Sequence, residues 1–178
     1  VAMAHYDTVP HSPGAGDDSA GVAALLEAAR ALIAGPRPPR DLIFLFTDGE
    51  EAGLLGAQRY FDTRPADRLA AVINLEARGS GGRAMLFETS PAPSGLIAAY
   101  RQAAPLPASD ASAALLYRVM GHGTDFSHAL EWAPTRALGQ RSNTFIWRSS
   151  WYPADGRSIG VIASRGDEAT EIGGGAIV

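Results

Sequence analysis

The fold is indicated most clearly by the stretch Leu42-Ile43-Phe44-Leu45-Phe46-Thr47-Asp48-Gly49-Glu50-Glu51. Its first five residues form a continuous apolar run, which predicts a strand that is buried on both faces of a covered sheet. The run leads directly into Thr47, Asp48 and the acidic pair Glu50-Glu51. A buried strand that ends in carboxylates is typical of α/β sheets, which place their ligands at the carboxyl ends of the strands.

The same pattern occurs twice more along the chain. The opening apolar segment, residues 1–4, predicts a short buried strand that ends at His5-Tyr6-Asp7. A third apolar run, residues 69–75, predicts a strand that delivers Asn74 and Glu76 at its end. Because the carboxyl ends of parallel strands lie at one edge of a sheet, we expect these polar residues to converge there.

Helical signals alternate with these strands. Residues 19–34 carry apolar residues at helical spacing, Asp17 or Asp18 can cap the start, and Gly35-Pro36 stops the helix. A second helix is predicted over residues 54–61. Further helices are predicted over residues 94–104 and 124–131, and further strands over residues 84–87 and 144–147. This order predicts an α/β fold, a three-layer αβα sandwich with a mostly parallel, mixed central sheet.

The composition is that of one globular domain. The chain has 178 residues, 46% of them hydrophobic and 19% charged, with a formal charge of −4 and no Lys. An acidic chain of this kind does not favour a nucleic-acid surface. The longest apolar stretch, residues 22–33, is interrupted by Glu27 and Arg30, so no membrane segment is expected in this part of the sequence. With no Cys, any metal site must use His, Asp and Glu.

Four polar residues at the predicted strand ends and helix starts form a candidate metal site, namely His5, Asp17, Glu51 and Glu76. Each lies just after a strand or at the start of a helix. Imidazole nitrogen together with carboxylate oxygen suits Zn²⁺, whereas Ca²⁺ prefers a shell made of oxygen atoms only. Asp7, two residues beyond His5, is the kind of carboxylate that holds a ligand imidazole in one tautomer.

The adjacent acids Glu50 and Glu51 can perform different tasks. Neighbouring side chains at a strand end point apart, so one carboxylate can bind a metal while the other faces a metal-bound water. A metal lowers the pKa of water from about 16 to about 7, and a carboxylate can then move its proton to a leaving amine. This is the chemistry of amide hydrolysis.

Four motifs in this order also carry a resemblance to a known family: His5-Tyr6-Asp7, then residues 14–21 (GAGDDSAG), residues 50–56 (EEAGLLG) and residues 74–79 (NLEARG). The chain resembles the co-catalytic di-zinc aminopeptidases of metallopeptidase clan MH, which include bacterial leucyl aminopeptidases and aminopeptidase Y. The last motif and the following Phe87-Glu88-Thr89 resemble the subgroup of endoplasmic-reticulum and vacuolar membrane metallopeptidases.

The resemblance implies a role for each site residue. His5 and Glu76 would bind one zinc, Asp17 would bridge two zinc ions, and Glu51 would bind the second. Glu50 would be the general base and Asp7 would orient His5. In the family the link between the two aspartates of the second motif is often cis. The implied fold is a single, partial zinc-peptidase catalytic domain over residues 1–178, incomplete at its N-terminus.

The implied activity is that of a zinc-dependent exopeptidase. A metal-activated water, with Glu50 as base, would remove N-terminal residues from peptide substrates. Relatives in this family are mostly secreted, associated with the cell envelope or lumenal, and the resemblance favours one of these locations here.

One expected ligand is absent from the sequence. The family takes a late His from a Tyr-His-Thr segment, whereas this chain reads Trp151-Tyr152-Pro153-Ala154-Asp155. Without it the second zinc would keep only carboxylate ligands and water. His122 and His128 flank a segment that shapes the substrate pocket in relatives, and by default they are surface or pocket-wall residues. The alternative hypothesis is therefore a non-catalytic or damaged relative that keeps the fold and at most one metal.

Overall fold

The computed structural model describes residues 1–63, 69–76, 85–90, 94–109, 112, 115, 119, 121, 123–136 and 143–148. Strands and helices alternate along most of this part of the chain, as the sequence predicts. The strands are β1 (Ala2–His5), β2 (Phe44–Thr47), β3 (Ala71–Glu76), β4 (Met85–Thr89) and β5 (Asn143–Arg148). The helices are α1 (Ala20–Ile33), α2 (Leu55–Asp62), α3 (Ser94–Ala103) and α4 (Asp125–Arg136).

The strands of the described residues form one sheet in the order β2-β1-β3-β5-β4. β1 runs parallel to both β2 and β3, and β3 runs parallel to β5. Only β4 is antiparallel to its neighbour. The sheet is therefore mostly parallel and mixed, and the predicted α/β fold class is confirmed.

Alternation along the strands produces two apolar clusters, one on each face of the sheet. On one face, Met3 and Val72 pack with Phe61 of α2 and Phe126 of α4. On the other face, Ala2, Ala4 and Leu75 pack with Leu25 and Ala28 of α1. Helices thus cover both faces, which is the predicted three-layer arrangement.

One sequence-based expectation about β2 is wrong. The apolar run before Thr47 predicts burial on both faces, yet Phe44, Leu45 and Phe46 are only half-buried. The physical reason is position, because β2 pairs with β1 and forms one edge of the described sheet. Only Thr47, at the carboxyl end of the strand, is fully buried.

Helix α1 follows an irregular turn, Ala15–Ser19, and Ser19 at its N-cap position makes no side-chain cap hydrogen bond. The capping contact that the sequence assigned to Asp17 or Asp18 comes from Asp18, one residue earlier. The buried Asp18 Oδ1 accepts a hydrogen bond from the Gly21 amide at 3.1 Å. A Cβ atom on Gly21 would overlap the Asp18 carboxylate, so glycine is required for this close approach. The cap leaves the neighbouring Asp17 side chain available to the carboxyl edge of the sheet.

A tight turn joins β2 to α2 and carries Glu50 and Glu51. Its main chain closes with hydrogen bonds from Leu55 N to Gly49 O (3.0 Å) and from Gly56 N to Asp48 O (2.9 Å). A Cβ atom on Gly56 would lie 2.7 Å from the Asp48 carbonyl oxygen and 2.8 Å from the Asp48 nitrogen. Since both atoms belong to the main chain, the turn leaves no space for a side chain at position 56.

Gly56→Ala should therefore destabilise the fold by about 1–3 kcal/mol, the usual cost of overpacking a well-filled site. The measurement is the free energy of unfolding from denaturant titration. Gly35→Ala is the matched control, because a Cβ atom there would meet its nearest atom at an ordinary 3.5 Å. Equal unfolding midpoints for the two variants would contradict the close approach at Gly56.

None of the helices in the described residues is both long and apolar enough to cross a membrane. The assignment of residues 1–178 to a single domain stays a prediction.

Candidate metal and catalytic site

The first predicted ligand, His5, is the last residue of β1, and its side chain is 1% exposed. The imidazole Nδ1 lies 3.0 Å from the main-chain carbonyl oxygen of Asp7. A carbonyl oxygen can only accept a hydrogen bond, so Nδ1 carries a proton and donates it. In the neutral imidazole Nε2 is then the atom with a free lone pair, as metal coordination requires.

Two carboxylates face His5 Nε2. Asp17 Oδ1 lies 3.1 Å from it and Glu76 Oε1 lies 3.4 Å from it. One ligand atom from each of these three residues lies within 4.8 Å of the other two. Residues that are 71 positions apart in the sequence are therefore brought into one cluster by β1, β3 and the turn before α1.

The Asp17-Asp18 turn divides two tasks between neighbouring acids. The peptide bond between them is cis, as the family resemblance led us to expect. Asp17 is partly exposed and faces His5, whereas Asp18 is buried and caps α1.

Glu50 and Glu51 follow β2 and differ in exposure. Glu50 is half-buried, and the negative charges of Glu76, Asp125 and Glu51 act on its carboxyl group. Glu51 is exposed and is not among the three residues that form the cluster in the described part of the chain. The structure thus gathers three of the four predicted metal ligands, and a metal role for Glu51 stays a prediction.

Asp7 makes contacts that the sequence does not reveal. Its carboxylate accepts hydrogen bonds from the backbone amides of Glu50 and Glu51, both at 3.1 Å. The imidazole proton of His5 goes to the main-chain oxygen of Asp7, and the carboxylate Oδ1 is farther away, at 3.5 Å. Asp7 therefore holds His5 with its main chain and the turn carrying Glu50 with its side chain.

Negative charge dominates the electrostatics of the cluster. Burial and the charge of Glu76 raise the pKa of Asp18 to about 9, and the same two causes raise the pKa of Glu50 to about 8. Burial also raises the pKa of Glu76. Burial alone would lower the pKa of His5, but hydrogen bonds to Asp17 and Glu76 and nearby negative charge raise it to about 12.

The raised carboxyl pKa values have two causes, first the burial of the acids away from water and second an excess of negative over positive charge around them. A divalent cation bound by His5, Asp17 and Glu76 would supply the missing positive charge. One imidazole nitrogen with carboxylate oxygens is also a donor set that Zn²⁺ accepts. The residues present therefore fit the metal that the sequence predicts.

Two further buried polar residues were missed by the sequence reasoning. The Thr47 hydroxyl at the end of β2 is hydrogen-bonded to Asp125 at the start of α4. The sequence signal for burial of Asp125 is that it directly precedes Phe126, a residue of the apolar core. His128 lies 3.7 Å from Glu131 on the same helix. His122 and residues 151–155 lie outside the described residues.

Comparison with known proteins places the chain in a family. The profile of Peptidase family M28 matches residues 1–145, which is most of the chain and includes every predicted site residue. The chain belongs to Peptidase family M28. The suspected relationship to zinc-type metallopeptidases is thereby confirmed at the level of the family.

Similar curated proteins agree with the suspected subgroup. Endoplasmic reticulum metallopeptidase 1 of Mus musculus is 33% identical over 173 residues, which cover 94% of this chain and 19% of the mouse protein. The vacuolar membrane protease of Saccharomyces cerevisiae is 49% identical over 90 residues, which cover 51% of this chain and 9% of the yeast protein. The same protease of Yarrowia lipolytica is 45% identical over 91 residues. The M28 chain thus spans less than a fifth of the length of these relatives.

The pKa shifts predict how the stability of the M28 chain varies with pH when a chelator is present. Asp18 and Glu50 have ordinary pKa values of 3.8 and 4.5, and folding raises them to about 9 and about 8. The folded state therefore holds protons that the unfolded state releases, so stability falls as pH rises from about 4 to about 9. His5 has the same sign, because folding raises its pKa from 6.5 to about 12.

Thermal melts at pH 5, 6.5 and 8 measure this dependence, and excess Zn²⁺ should reduce it because bound metal favours the charged carboxylates. Asp18→Asn provides the comparison, since its amide oxygen can still accept from Gly21 while the titrating group is removed. We expect a shallower fall for this variant. A melting temperature that rises from pH 5 to pH 8 in the chelated protein would contradict the assigned electrostatics.

Asp7→Asn should separate the two roles of that residue. The main-chain contact to His5 remains, so the affinity for Zn²⁺ should change less than tenfold. One of the two amides of Glu50 and Glu51 loses its acceptor, which should lower stability by about 1 kcal/mol. Zinc titration and denaturant unfolding measure the two effects, with the exposed Asp62→Asn as control. A loss of zinc affinity of about a hundredfold would show that the carboxylate acts through His5.

Proposed function

We propose that this M28 chain is the catalytic part of a zinc-dependent exopeptidase that removes N-terminal residues from peptides. The observation that carries the proposal is the buried junction of His5 Nε2 with Asp17 and Glu76. The half-buried Glu50 lies close enough to Glu76 for the two charges to interact. A metal-binding junction beside a carboxylate with a raised pKa is the arrangement that metal-assisted hydrolysis needs.

His5, Asp17 and Glu76 would hold the ion. Zinc, when bound, polarises a peptide carbonyl and lowers the pKa of water from about 16 to about 7. His5 contributes a neutral nitrogen whose orientation is fixed by the Asp7 carbonyl, and the two carboxylates contribute negative charge. Glu51 is proposed as a ligand of a second zinc, with Asp17 shared between the ions.

Glu50 would move the proton during hydrolysis. Its carboxylate accepts a proton from the attacking water as the water oxygen bonds to the carbonyl carbon. It then gives that proton to the nitrogen of the leaving amine as the carbon–nitrogen bond breaks. Burial raises its pKa to about 8, and a bound cation nearby would bring this value down toward the range of a working base.

The charge of the site favours a peptide with a free amino end. Apart from histidines, the charged groups that shift the pKa values of this cluster are carboxylates. With the ion bound, the carboxylates that do not hold it, Glu50 among them, would still attract a cationic N-terminus and repel a peptide C-terminal carboxylate. This argument favours an aminopeptidase over a carboxypeptidase.

The names of the relatives bear on location and substrate. They are called a metallopeptidase of the endoplasmic reticulum and a protease of the vacuolar membrane. We propose by analogy that this chain acts on peptides in a lumenal or envelope-type compartment.

A second candidate function is a relative that binds one metal and does not hydrolyse peptides. It is favoured by the exposed position of Glu51, because the cluster within the described residues offers donors for a single ion. It also agrees with the absence of the late His in the segment Trp151–Asp155.

Zinc content and activity together distinguish these functions. The zinc content per folded chain is measured by elemental analysis after equilibration with a modest excess of zinc and removal of loosely bound ions. Activity is measured with leucine 4-nitroanilide and with its N-acetylated form. The proposal expects at least one zinc and hydrolysis of the free-amine substrate only. Equal hydrolysis of the acetylated substrate would remove the aminopeptidase assignment, and a folded, zinc-loaded chain without activity would favour the second candidate.

Glu50→Gln tests the general base. The amide cannot accept the proton, so kcat should fall by about a hundredfold or more while zinc content stays the same. Glu27→Gln is the matched control, because Glu27 is exposed on α1 and pairs with Arg30 away from the site. Unchanged kcat in Glu50→Gln would show that another group moves the proton.

A further inference from the structure

Thr47 lies where β2 leads into the turn that carries Glu50. It is the last residue of β2, pairs in register with His5 of β1, and lies three positions before Glu50. Its main-chain oxygen accepts a hydrogen bond from Tyr6 N at 3.0 Å. Any shift of Thr47 would therefore be passed along the short segment to Glu50.

The Thr47 side chain is 2% exposed. Its hydroxyl forms a hydrogen bond with Oδ2 of Asp125, which lies 78 positions later in the sequence. The same hydroxyl oxygen lies 3.3 Å from the carbonyl oxygen of Ala4. If Asp125 is charged, it accepts the hydroxyl proton. If Asp125 is neutral, it donates to the hydroxyl oxygen while Thr47 donates to Ala4. The contact therefore survives in both protonation states.

Asp125 is itself held firmly. It is 1% exposed and begins α4, and the next residue, Phe126, is fully buried in the core cluster with Met3 and Phe61. The main chain around it is closed by a hydrogen bond from Ser127 N to Thr124 O at 2.8 Å. The carboxyl group therefore projects from an anchored helix end rather than from a loose loop.

Burying a carboxyl group among other acids is unfavourable, and the contact with Thr47 is made despite that cost. Within the described residues, Asp125 Oδ1 has no hydrogen-bond partner. An asparagine could make the same hydrogen bond to Thr47 without the buried acid. The contact lies at the base of the turn that carries Glu50. A fixed backbone at this point would keep the Glu50 carboxylate in place.

We propose that Asp125 is a positioning residue that acts through Thr47 to fix the turn carrying Glu50, an inference that rests on the proposed function of Glu50 as general base. The turn is held at two points. Asp7 binds the amides of Glu50 and Glu51 on one side, and Asp125 binds the Thr47 side chain at the base of the turn. Supporting contacts of this kind keep a reacting group within the narrow tolerance that catalysis requires.

The test compares Thr47→Val, which keeps the shape but loses the hydroxyl, with Thr47→Ser, which keeps the hydroxyl. The first readout is hydrogen exchange of the peptide segment 48–55 in the zinc-loaded full chain, with segment 71–76 as internal reference. We expect Thr47→Val to raise exchange at Glu50 and Glu51 by about tenfold, which is the effect of losing one hydrogen bond. Thr47→Ser should match the wild type.

The second readout is kinetic. Thr47→Val should lower kcat by about tenfold or more with little change in KM or zinc content, because the base is misplaced while substrate and metal sites remain. Asp125→Ala should reproduce this effect, and Asp125→Asn should restore activity because its amide oxygen can still accept from Thr47. The double variant Thr47→Val/Asp125→Ala should be no worse than either single variant, as expected for one shared contact.

Two outcomes would overturn the proposal. One is a lower melting temperature for Thr47→Val with unchanged exchange at Glu50 and unchanged kcat, which would make the contact purely structural. The other is an additive loss in the double variant. If the wild-type chain has no peptidase activity, the proposed function fails, and the exchange measurement still decides whether Asp125 holds the turn.

Discussion

The site depends on the parallel pairing of β1 with β2 on one side and with β3 on the other. Parallel pairing brings the carboxyl ends of three strands to one edge, where they present His5, Thr47 and Glu76. These three residues lie on the face that also carries Met3 and Val72, because side chains alternate along a strand. The apolar core and the polar site are thus successive layers of the same sheet face. Packing of Phe61 and Phe126 against that face fixes the positions of the polar groups beyond it.

The burial of several acids close together opposes this arrangement energetically. The cluster gathers several acids around one imidazole, and burial raises the pKa values of Asp18, Glu50, Glu76 and Asp125. Without a cation, the folded chain must retain protons on groups that would be ionised in water. The local structure therefore favours a positive ligand, which is the physical link between this fold and metal-dependent chemistry.

Much of the fold could be predicted because its signals are local. The three apolar runs that end in polar residues gave β1, β2 and β3, and helical spacing gave α1 within one residue at each end. The convergence of His5, Asp17 and Glu76 followed from strand order, since each residue stands at a strand end or a helix start. Exposure of β2 could not be predicted, because the hydrophobic run does not say which strand lies at the edge of the sheet.

Contacts between side chains and groups far away in the sequence were also not predictable. Asp7 was expected to orient His5 through its carboxylate, yet the carboxylate binds two amides that lie 43 and 44 positions away. The link between Thr47 and Asp125 spans 78 positions and involves residue types that usually have ordinary structural roles. Spacing within a motif carries no information about such pairs, because the first depends on the pairing of β1 with β2 and the second on how α4 packs across the sheet.

The way in which these residues are held bears on how many metal ions the chain can bind. Asp7 contacts both the imidazole of His5 and the main-chain amide of Glu51. The first ion therefore meets a site whose nitrogen donor is already oriented, with Asp17 and Glu76 beside it. A second ion would depend on the exposed Glu51 side chain and on sharing Asp17, and the sequence lacks the late His that would add a nitrogen ligand. Ordering the exposed Glu51 side chain costs conformational entropy. The second ion would also lack an imidazole nitrogen among its ligands. Under the proposed function, the first site would accordingly fill before the second, and the hydrogen bond from the Glu50 amide to Asp7 would hold the proposed base in place with one ion or with two.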